Sequence, residues 1–465
     1  MTEALLAALP HTLEDIVPMT GGRLLQGSAV LRYDGVSIDS RTLEAGELFF
    51  AIAGKHFDGH EFLGEVARRG AAGAVVHRDA VAPRGFPLLR VPDTTAALQA
   101  LARETRLRAA IPVVAITGSA GKTTTKDMTA ALLQTRGPVL KTEGNLNNQY
   151  GLPLTLLRLE ERHSAAALEL GMSAAGELRA LVGIARPDVA VITCVAPVHL
   201  EFFASLEAIA DAKAEILEGL GEGGTAVLNG DDPLLRARGE KHGGRVVWFG
   251  RDRRYHVSAE NWRGSVAGMR FDLVIDGKKH DVALPLAGQH FVSNFLAAAA
   301  AAWALGVGGE AIAHAAPALR PAPHRGEVRQ LGEQVTLLDD SYNSNPLAVQ
   351  AALGALQLAG ARRRVAFLGD MLELGPSGPA LHREAGLLAA PQVDLLVGVG
   401  PLAQQLVEGG AGRTQTLHFP DATSAAAAVP QLVRPGDTVL VKGSRGVHLE
   451  TVVDALLARF GQAQA

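Results

Sequence analysis

The sequence predicts an α/β protein of three domains, built mainly on parallel sheets. At roughly 150 residues per domain, a chain of 465 residues is long enough for about three domains. Short apolar runs typical of buried strands alternate with helical patterns, and this alternation indicates βαβ units. Polar clusters follow these runs, at the sheet edge where ligands bind. We expect domains at residues 1–91, 92–319 and 320–465.

Composition narrows the class of protein. Hydrophobic residues make up 48% of the chain, and a formal net charge of −4 gives no general reason to expect nucleic-acid binding. Cys194 is the single cysteine, which excludes an intramolecular disulfide and suits a reducing cytosol. Residues 1–10 lack the basic start of a signal peptide, and the longest apolar stretch, Phe295–Val307, is too short to span a bilayer. We therefore expect a soluble, cytoplasmic protein that neither inserts into membranes nor binds nucleic acid. We also expect a monomer, although composition does not bear on the oligomeric state.

The most informative stretch joins a buried strand, Val113–Ile116, to a helix through a loop of small residues. The backbone N–H groups of such a loop and the dipole of the following helix favour a bound phosphate. Lys122 would contact the β- and γ-phosphates, and the Thr123 hydroxyl would bind Mg²⁺. Ile116 replaces the first glycine of the longer consensus, so the match is to a shorter variant, and a plain Gly-rich turn with a solvated lysine is the alternative. The predicted phosphate-binding residues are Gly118, Ser119, Ala120, Gly121, Lys122, Thr123 and Thr124.

Three side chains of the middle segment are candidates for catalysis. Glu169 lies near the end of a buried strand, where a carboxylate is costly unless it is paired or binds a metal, and P-loop folds hold Mg²⁺ at this position. His199 follows the predicted strand Val189–Cys194, where active-site loops collect, although a helix cap is the alternative. Lys213 lies on the predicted helix Ser205–Leu220 and reads equally well as a solvated surface lysine.

Two polar clusters precede Glu169 in the sequence, and one further polar residue of interest, Asn294, follows it. Asp39, Ser40 and Arg41 fit an Asx turn with a surface arginine, but Arg41 could equally bind a diphosphate in bidentate fashion. Residues 141–151 are rich in amides and glycine and form either a plain polar loop or a ligand-binding one. Asn294 is polar at the start of an Ala-rich helix, where it either caps the helix or contacts a nucleotide.

The last segment repeats the pattern of a strand followed by a polar cluster. It begins with a linker-like stretch that contains Arg325. Three clusters directly after predicted strands are Asp339–Pro346, Gly369–Gly375 and Lys442–Arg445. Because parallel strands place their carboxyl ends at one edge, these clusters are hard to explain as independent turns.

These motifs together resemble the Mur ligases, the ATP-dependent amide-bond-forming enzymes of peptidoglycan precursor synthesis. The stretches that carry the resemblance are Thr117–Lys126, Gly144–Asn148 with Gly151–Leu157, Asp339–Pro346 and Gly369–Gly375. The resemblance covers essentially the whole chain. It implies a small N-terminal α/β domain that binds a UDP-linked precursor, a central P-loop parallel-sheet ATPase domain and a C-terminal Rossmann-like α/β domain.

Within the family, the last three stretches resemble the member that adds D-alanyl-D-alanine to UDP-N-acetylmuramoyl-tripeptide. The resemblance implies ATP and Mg²⁺ as cofactors. The tripeptide carboxylate would attack the γ-phosphate of ATP, and the dipeptide amine would then displace phosphate from the acyl phosphate. Whether the tripeptide ends in lysine or diaminopimelate stays open.

The resemblance also implies a role for each candidate residue. Catalysis would involve Lys122, Glu169, His199 and Lys213. Thr123, Glu169 and His199 would lie at the metal, with Lys213 as a carbamate. The nucleotide would contact Asn294, Arg325, Asp340 on the ribose, and Asn343. The UDP end would contact Asp39, Ser40 and Arg41, the muramoyl-peptide would contact Thr142, Asn145 and Asn147, and the peptide end would contact Lys442, Ser444 and Arg445.

Two other classes remain open at this stage. A different ligase of the superfamily, such as the tripeptide-forming Mur ligase or a folylpolyglutamate synthase, would share the phosphate loop but not the Asn-rich loop or Asp339–Pro346. A nucleotide-gated binding or switch protein would need phosphate contacts but no pocket for a second substrate.

Overall fold

The computed structural model describes residues 12–28, 30–54, 56–198 and 200–461, and its strands form three sheets. The chain folds into two compact units. The first comprises the described residues up to Ile116, Arg136–Ala190 and Glu215–Gly224, and the second comprises Thr117–Thr135, Val191–Ala214 and the described residues from Thr225 onward. The three predicted domain ranges stay a prediction. In the described part of the chain, no helix is both long and apolar enough to cross a membrane.

The first sheet has five strands in the order β1-β5-β4-β3-β2. Its strands are β1 Arg23–Gln26, β2 Gly35–Ser37, β3 Glu47–Phe50, β4 Gly73–Val76 and β5 Leu88–Arg90. The helices of this region are α1 Leu13–Thr20, α2 Leu63–Arg68 and α3 Thr94–Ala109. Strands β2 to β5 run parallel, while β1 is antiparallel to β5. Their buried side chains pack against Leu98 and Leu101 of α3, which confirms the predicted small α/β domain.

The second sheet has nine strands in the order β14-β13-β12-β11-β10-β9-β6-β8-β7. Its strands are β6 Val113–Thr117, β7 Val139–Lys141, β8 Ala165–Glu169, β9 Val189–Ile192, β10 Thr225–Asn229, β11 Arg245–Gly250, β12 Val257–Ser265, β13 Gly268–Ile275 and β14 Lys278–Leu284. The helices are α4 Lys122–Leu133, α5 Gly151–Leu156, α6 Glu177–Ala185, α7 Leu206–Ala214, α8 Pro233–Gly239, α9 Gln289–Ala304 and α10 Gly309–Ala315. Strands β12, β13 and β14 pair antiparallel to one another in sequence order.

The third sheet has six strands in the order β15-β16-β20-β17-β18-β19. Its strands are β15 Glu327–Gln330, β16 Thr336–Asp340, β17 Arg363–Gly369, β18 Leu395–Val399, β19 Gln415–Phe419 and β20 Asp437–Lys442. The helices are α11 Pro346–Gln357, α12 Gly378–Ala389, α13 Ala403–Gly410, α14 Ala422–Leu432 and α15 Glu450–Phe460. Alternate residues of β17 enter two different cores, Val365 and Phe367 in one and Ala366 and Leu368 in the other, so both faces of this sheet are covered.

Two predicted elements end earlier than expected. The strand predicted to reach Cys194 ends at Ile192, where the neighbouring strand β6 also ends, and the next two residues hydrogen-bond to Thr117 and to the glycine-rich loop. The prediction of one helix over Ser205–Leu220 is wrong, since α7 ends at Ala214 and Glu215–Gly219 is a 3₁₀ helix. The Glu215 carboxylate accepts hydrogen bonds from the Gly176 N–H at 2.8 and 2.9 Å. A local pattern does not reveal this contact, which lies at the N-terminal end of α6.

Candidate active site

The glycines of the loop between β6 and α4 cannot be replaced without strain. Gly118 and Gly121 have φ angles of 151° and 79°. A Cβ atom at Gly118 would lie 1.8 Å from Oγ1 of Thr193, and one at Gly121 would lie 2.2 Å from Oδ1 of Asn294. Both the backbone conformation and the close neighbours therefore require glycine.

The residues after β9 hold this loop in place. The Thr193 hydroxyl donates to the Ala120 carbonyl at 2.6 Å, and the Ser119 N–H donates to the Cys194 carbonyl at 2.9 Å. Oγ of Ser119 donates to the Ala196 carbonyl at 3.1 Å and accepts from the Ala196 N–H at 2.9 Å. These hydrogen bonds within the protein therefore define the shape of the loop. Sequence reasoning missed Thr193, because the predicted strand Val189–Cys194 included this residue, whereas the observed strand ends at Ile192.

Helix α4 begins at Lys122, and its N-cap Gly121 supplies no side-chain cap. The first N–H groups of a helix have no intrahelical acceptor, and the helix dipole adds positive potential there, so this end suits an anion. The Lys122 Nζ donates to the Gly118 carbonyl at 2.7 Å, which places the ammonium over the loop. Thr123, the next residue in the sequence, is buried. The geometry therefore agrees with the predicted phosphate loop.

Lys213 is not a surface lysine, because only 2% of it is exposed. Burial and, to a smaller extent, the nearby charge of Lys122 lower the pKa of Lys213 to about 7, while Cys194 opposes the shift. The surface-lysine alternative is therefore wrong. At neutral pH a substantial fraction of this amine is neutral, which is the nucleophilic form.

Asn294 lies inside α9 rather than at its end, because the N-cap of this helix is Gly288. A capping role is therefore excluded, and the side chain instead contacts the loop at Gly121. His290, which sequence reasoning missed, lies in the first turn of α9. Burial lowers its pKa to about 4, with Asp340 opposing the shift and Lys442 adding to it.

Three predicted residues meet at the ends of β16 and β20. The Lys442 Nζ donates to the Asp340 carboxylate at 2.6 Å and to the Asn343 carbonyl at 2.9 Å. Lys442 is 2% exposed, so its charge is balanced inside the protein. The family resemblance implies that Asp340 contacts the ribose of the nucleotide and that Lys442 contacts the peptide end. Both assignments stay predictions. Next to it, the fully buried Asp339 accepts a hydrogen bond from Nδ1 of His324 at 2.8 Å.

The other predicted residues of the last segment surround Tyr342 and the loop after β17. The guanidinium carbon of Arg325 lies 4.0 Å from the centre of the Tyr342 ring, and that of Arg445 lies 5.6 Å from it. Ser444 is buried, and its hydroxyl accepts a hydrogen bond from the Leu372 N–H at 3.0 Å. Ser444 thus contributes to the shape of this loop.

In the first unit, Glu169 is buried at the end of β8, where it pairs in register with Ile116. The Nδ2 of Asn147 donates to Oε1 of Glu169 at 2.8 Å, and the Glu169 N–H donates to the Thr142 hydroxyl at 2.9 Å. The structure thus brings Thr142 and Asn147 together with the predicted metal ligand, while Asn145 is exposed. Among the described residues, no group of three or more His, Cys, Asp or Glu side chains is placed to hold a metal ion. The predicted ligand His199 lies outside those residues.

At the end of β2, Asp39 and Arg41 form the predicted Asx turn. The Arg41 N–H donates to Oδ1 of Asp39 at 2.9 Å, and the guanidinium binds the same carboxylate in bidentate fashion at 2.9 and 2.7 Å. The hydrogen bond from Arg41 lowers the pKa of Asp39 to about 2. The Arg41 side chain is 83% exposed and Ser40 is buried, so the turn does not exclude a ligand at the guanidinium.

Three family models match successive parts of the chain. They are described as the Mur ligase family, catalytic domain, at residues 32–106, the Mur ligase middle domain at residues 116–302, and the Mur ligase, glutamate ligase domain at residues 324–445. Together they span most of the sequence and follow the order of the three sheets.

Similar proteins and structures extend over nearly the full length. The UDP-N-acetylmuramoyl-tripeptide–D-alanyl-D-alanine ligase of Bacillus subtilis is 34% identical over 97% of this chain and 99% of its own. The ligase of the same name from Escherichia coli is 38% identical over 96% of this chain and 98% of its own. A crystal structure of MurF from Acinetobacter baumannii superimposes with a TM-score of 0.90 at 32% identity, covering 97% of this chain and all of that one. A Thermotoga maritima MurF ligase in complex with ADP has a TM-score of 0.81 at 30% identity, covering 90% and 96%.

Proposed function

The chain belongs to the Mur ligase family, and we propose that it joins D-alanyl-D-alanine to UDP-N-acetylmuramoyl-tripeptide at the expense of ATP. The observation that carries this proposal is the similarity, over almost the whole chain, to ligases named for that reaction. The Asn-rich loop and the stretch Asp339–Pro346 favour it over the other ligases of the superfamily. The rigid loop around Gly118 and Gly121 supplies the nucleotide site that the reaction needs.

The reaction has two steps that balance. An oxygen of the tripeptide carboxylate attacks the γ-phosphorus of ATP, the bond to the β–γ bridging oxygen breaks, and ADP leaves. The dipeptide amine then attacks the acyl carbon, loses its proton, and phosphate departs from the tetrahedral intermediate. In the first step the carboxylate approaches the triphosphate, so two anions repel each other. Lys122 and the N-terminal end of α4 would offset this repulsion where charge develops.

Mg²⁺ fits the chemistry of the predicted donors. Thr123 offers a hydroxyl oxygen and Glu169 a carboxylate oxygen, both buried, and Mg²⁺ prefers oxygen ligands. When bound, the ion neutralises charge on the phosphates. Asn147 would hold the Glu169 carboxylate in orientation, as residues behind metal ligands do.

We further propose that Lys213 acts as a carbamate. Its neutral amine attacks dissolved CO₂, a proton is lost to solvent, and the ammonium charge gives way to a carboxylate-like anion. The low pKa of the buried amine supports this step. A carbamate beside Lys122 would also replace repulsion between two cations by attraction.

Phosphate release tests the proposed function directly. Release should require both UDP-N-acetylmuramoyl-tripeptide and D-alanyl-D-alanine, and parallel assays with tripeptides ending in lysine or diaminopimelate would identify the third residue. Release with glutamate and a folate, or with the UDP-linked dipeptide and a free amino acid, would instead identify another ligase of the superfamily. Nucleotide hydrolysis that ignores every acceptor would favour a switch protein.

We also propose that the protein acts in the cytoplasm as a monomer. The absence of a membrane-spanning helix among the described residues is consistent with this location. Sedimentation velocity of the full chain at micromolar concentration would test the monomer, and cell fractionation would test the compartment.

A further inference from the structure

The geometry points to Tyr342 as a positioning residue that holds Arg325 and Arg445 as a pair. The two guanidinium carbons lie 4.0 and 5.6 Å from the centre of its ring, within the range of a cation–π contact. All three residues belong to the second unit. The inference rests on the proposed function and on the roles that the family resemblance implies, with Arg325 at the nucleotide and Arg445 at the peptide end of the site, which we assign to the incoming dipeptide.

Arg325 is half-buried and leaves its donors available. Apart from the Tyr342 ring, its guanidinium makes no hydrogen bond or ion pair with any residue in the described ranges. A guanidinium that lies on an aromatic face keeps its N–H groups directed along its own plane, where they can bind a phosphate or carboxylate in bidentate fashion. The ring therefore orients Arg325, and no carboxylate in the described part of the chain forms an ion pair with it.

Arg445 contacts the same ring, but its side chain is largely exposed and lies near a carboxylate. Its side chain is 60% exposed, and its Nη1 lies 3.4 Å from Oε1 of Glu450. Two cations close to one ring repel each other, and here the ring and Glu450 offset part of that repulsion. An anionic ligand at either guanidinium would relieve the rest.

Hydrogen bonds of Tyr342 and of the residue before it hold the ring in place near both arginines. The Tyr342 N–H donates to the His324 carbonyl at 3.1 Å, so the residue before Arg325 is tied to the residue that supports it. The preceding Ser341 is held by the buried Asp339, whose carboxylate accepts from the Ser341 hydroxyl at 2.7 Å. Loss of the ring should therefore loosen both arginines at once. Because coupling between two binding sites is reciprocal, binding of the nucleotide and of the dipeptide should be linked through Tyr342.

Steady-state assays of phosphate release by the full chain test this role. In Tyr342→Leu, the KM for ATP and the KM for D-alanyl-D-alanine should each rise about three- to tenfold, the scale of one or two cation–π contacts. Tyr342→Phe keeps the ring face and should stay near wild type. Arg445→Gln should raise the KM for the dipeptide alone. Phe460→Leu is the matched control, because it removes a ring 4.8 Å from Arg459 on a helix without predicted site residues.

Unchanged KM values in Tyr342→Leu would overturn the inference, and so would equal damage in Tyr342→Phe, which would assign the effect to the hydroxyl. A lower melting temperature with reduced kcat at constant KM would show a structural role only and would equally overturn it. If the wild-type chain releases no phosphate with the proposed substrates, the proposed function fails instead. Calorimetric titration of Tyr342→Leu and wild type with ADP then still decides the Arg325 half of the inference.

Discussion

The side-chain amide of Asn147 donates a hydrogen bond to the Glu169 carboxylate, with 2.8 Å between Nδ2 and Oε1. Asn147→Ala should weaken Mg²⁺ binding about 10- to 100-fold, as loss of a residue behind a metal ligand typically does. The measurement is activity as a function of Mg²⁺ concentration at saturating substrates. An unchanged Mg²⁺ dependence would mean that Glu169 needs no such support or is not a ligand.

Lys122→Ala should keep its fold and lose activity. The Nζ donates to the Gly118 carbonyl of the loop at 2.7 Å, and loss of the ammonium removes a charge contact to the transition state, which costs at least ~10²-fold in turnover. Turnover is compared with Lys241→Ala, a change of an exposed lysine, and circular dichroism checks the fold. Normal turnover of a folded Lys122→Ala would show that the phosphate site lies elsewhere.

Gly121→Ala should abolish tight nucleotide binding. The new Cβ would require the φ angle of 79° and would lie 2.2 Å from Asn294, so the loop must change shape. The matched control is Gly183→Ala, whose Cβ would meet no atom within 4 Å. Fluorescence titration with an ATP analogue compares the two. Equal affinity for both variants would contradict the requirement for glycine in the loop.

Lys213→Ala should be nearly inactive, and formate should partly restore activity by occupying the vacated space. Removal of dissolved CO₂ should lower wild-type activity reversibly, because the carbamate is in equilibrium with the free amine. Since the neutral amine becomes more abundant as the pH rises through about 7, recovery after CO₂ is returned should be faster at pH 8 than at pH 6. Full activity of Lys213→Ala would return this residue to a packing role.

Stability should fall as the pH drops from about 7 to 5, partly because of His60. Burial lowers the pKa of His60, although Asp58 opposes this, and its Nε2 accepts the His77 N–H at 3.2 Å. An unfolded histidine binds its proton near pH 6.5. In that window the unfolded state therefore holds more protons, and the free energy of unfolding decreases with falling pH. Thermal melts of His60→Gln should show a flatter pH dependence, while exposed His56→Gln should follow wild type. Parallel slopes for all three proteins would exclude His60.

Local patterns were sufficient for most strands and for the phosphate loop. Val113–Ile116 was predicted as a buried strand and is observed as Val113–Thr117, one residue longer. The pairing of side chains was not predictable in this way. Lys442 and Asp340 lie 102 residues apart, and they meet because β20 lies next to β16, an order that no local periodicity encodes. His290 and Tyr342 were missed for the same reason, since each matters through residues that are distant in the chain.

The contacts of Thr193 and Ser119 carry a consequence for protein engineering. Four hydrogen bonds join the loop to Thr193–Ala196, a segment that follows a different strand. If residues 117–123 were transplanted into another strand–helix junction, the glycines would be carried over. The segment 193–196, whose hydrogen bonds define the shape of the loop, would be missing. A portable nucleotide-binding module cut from this protein would have to include β6, α4 and the end of β9 together.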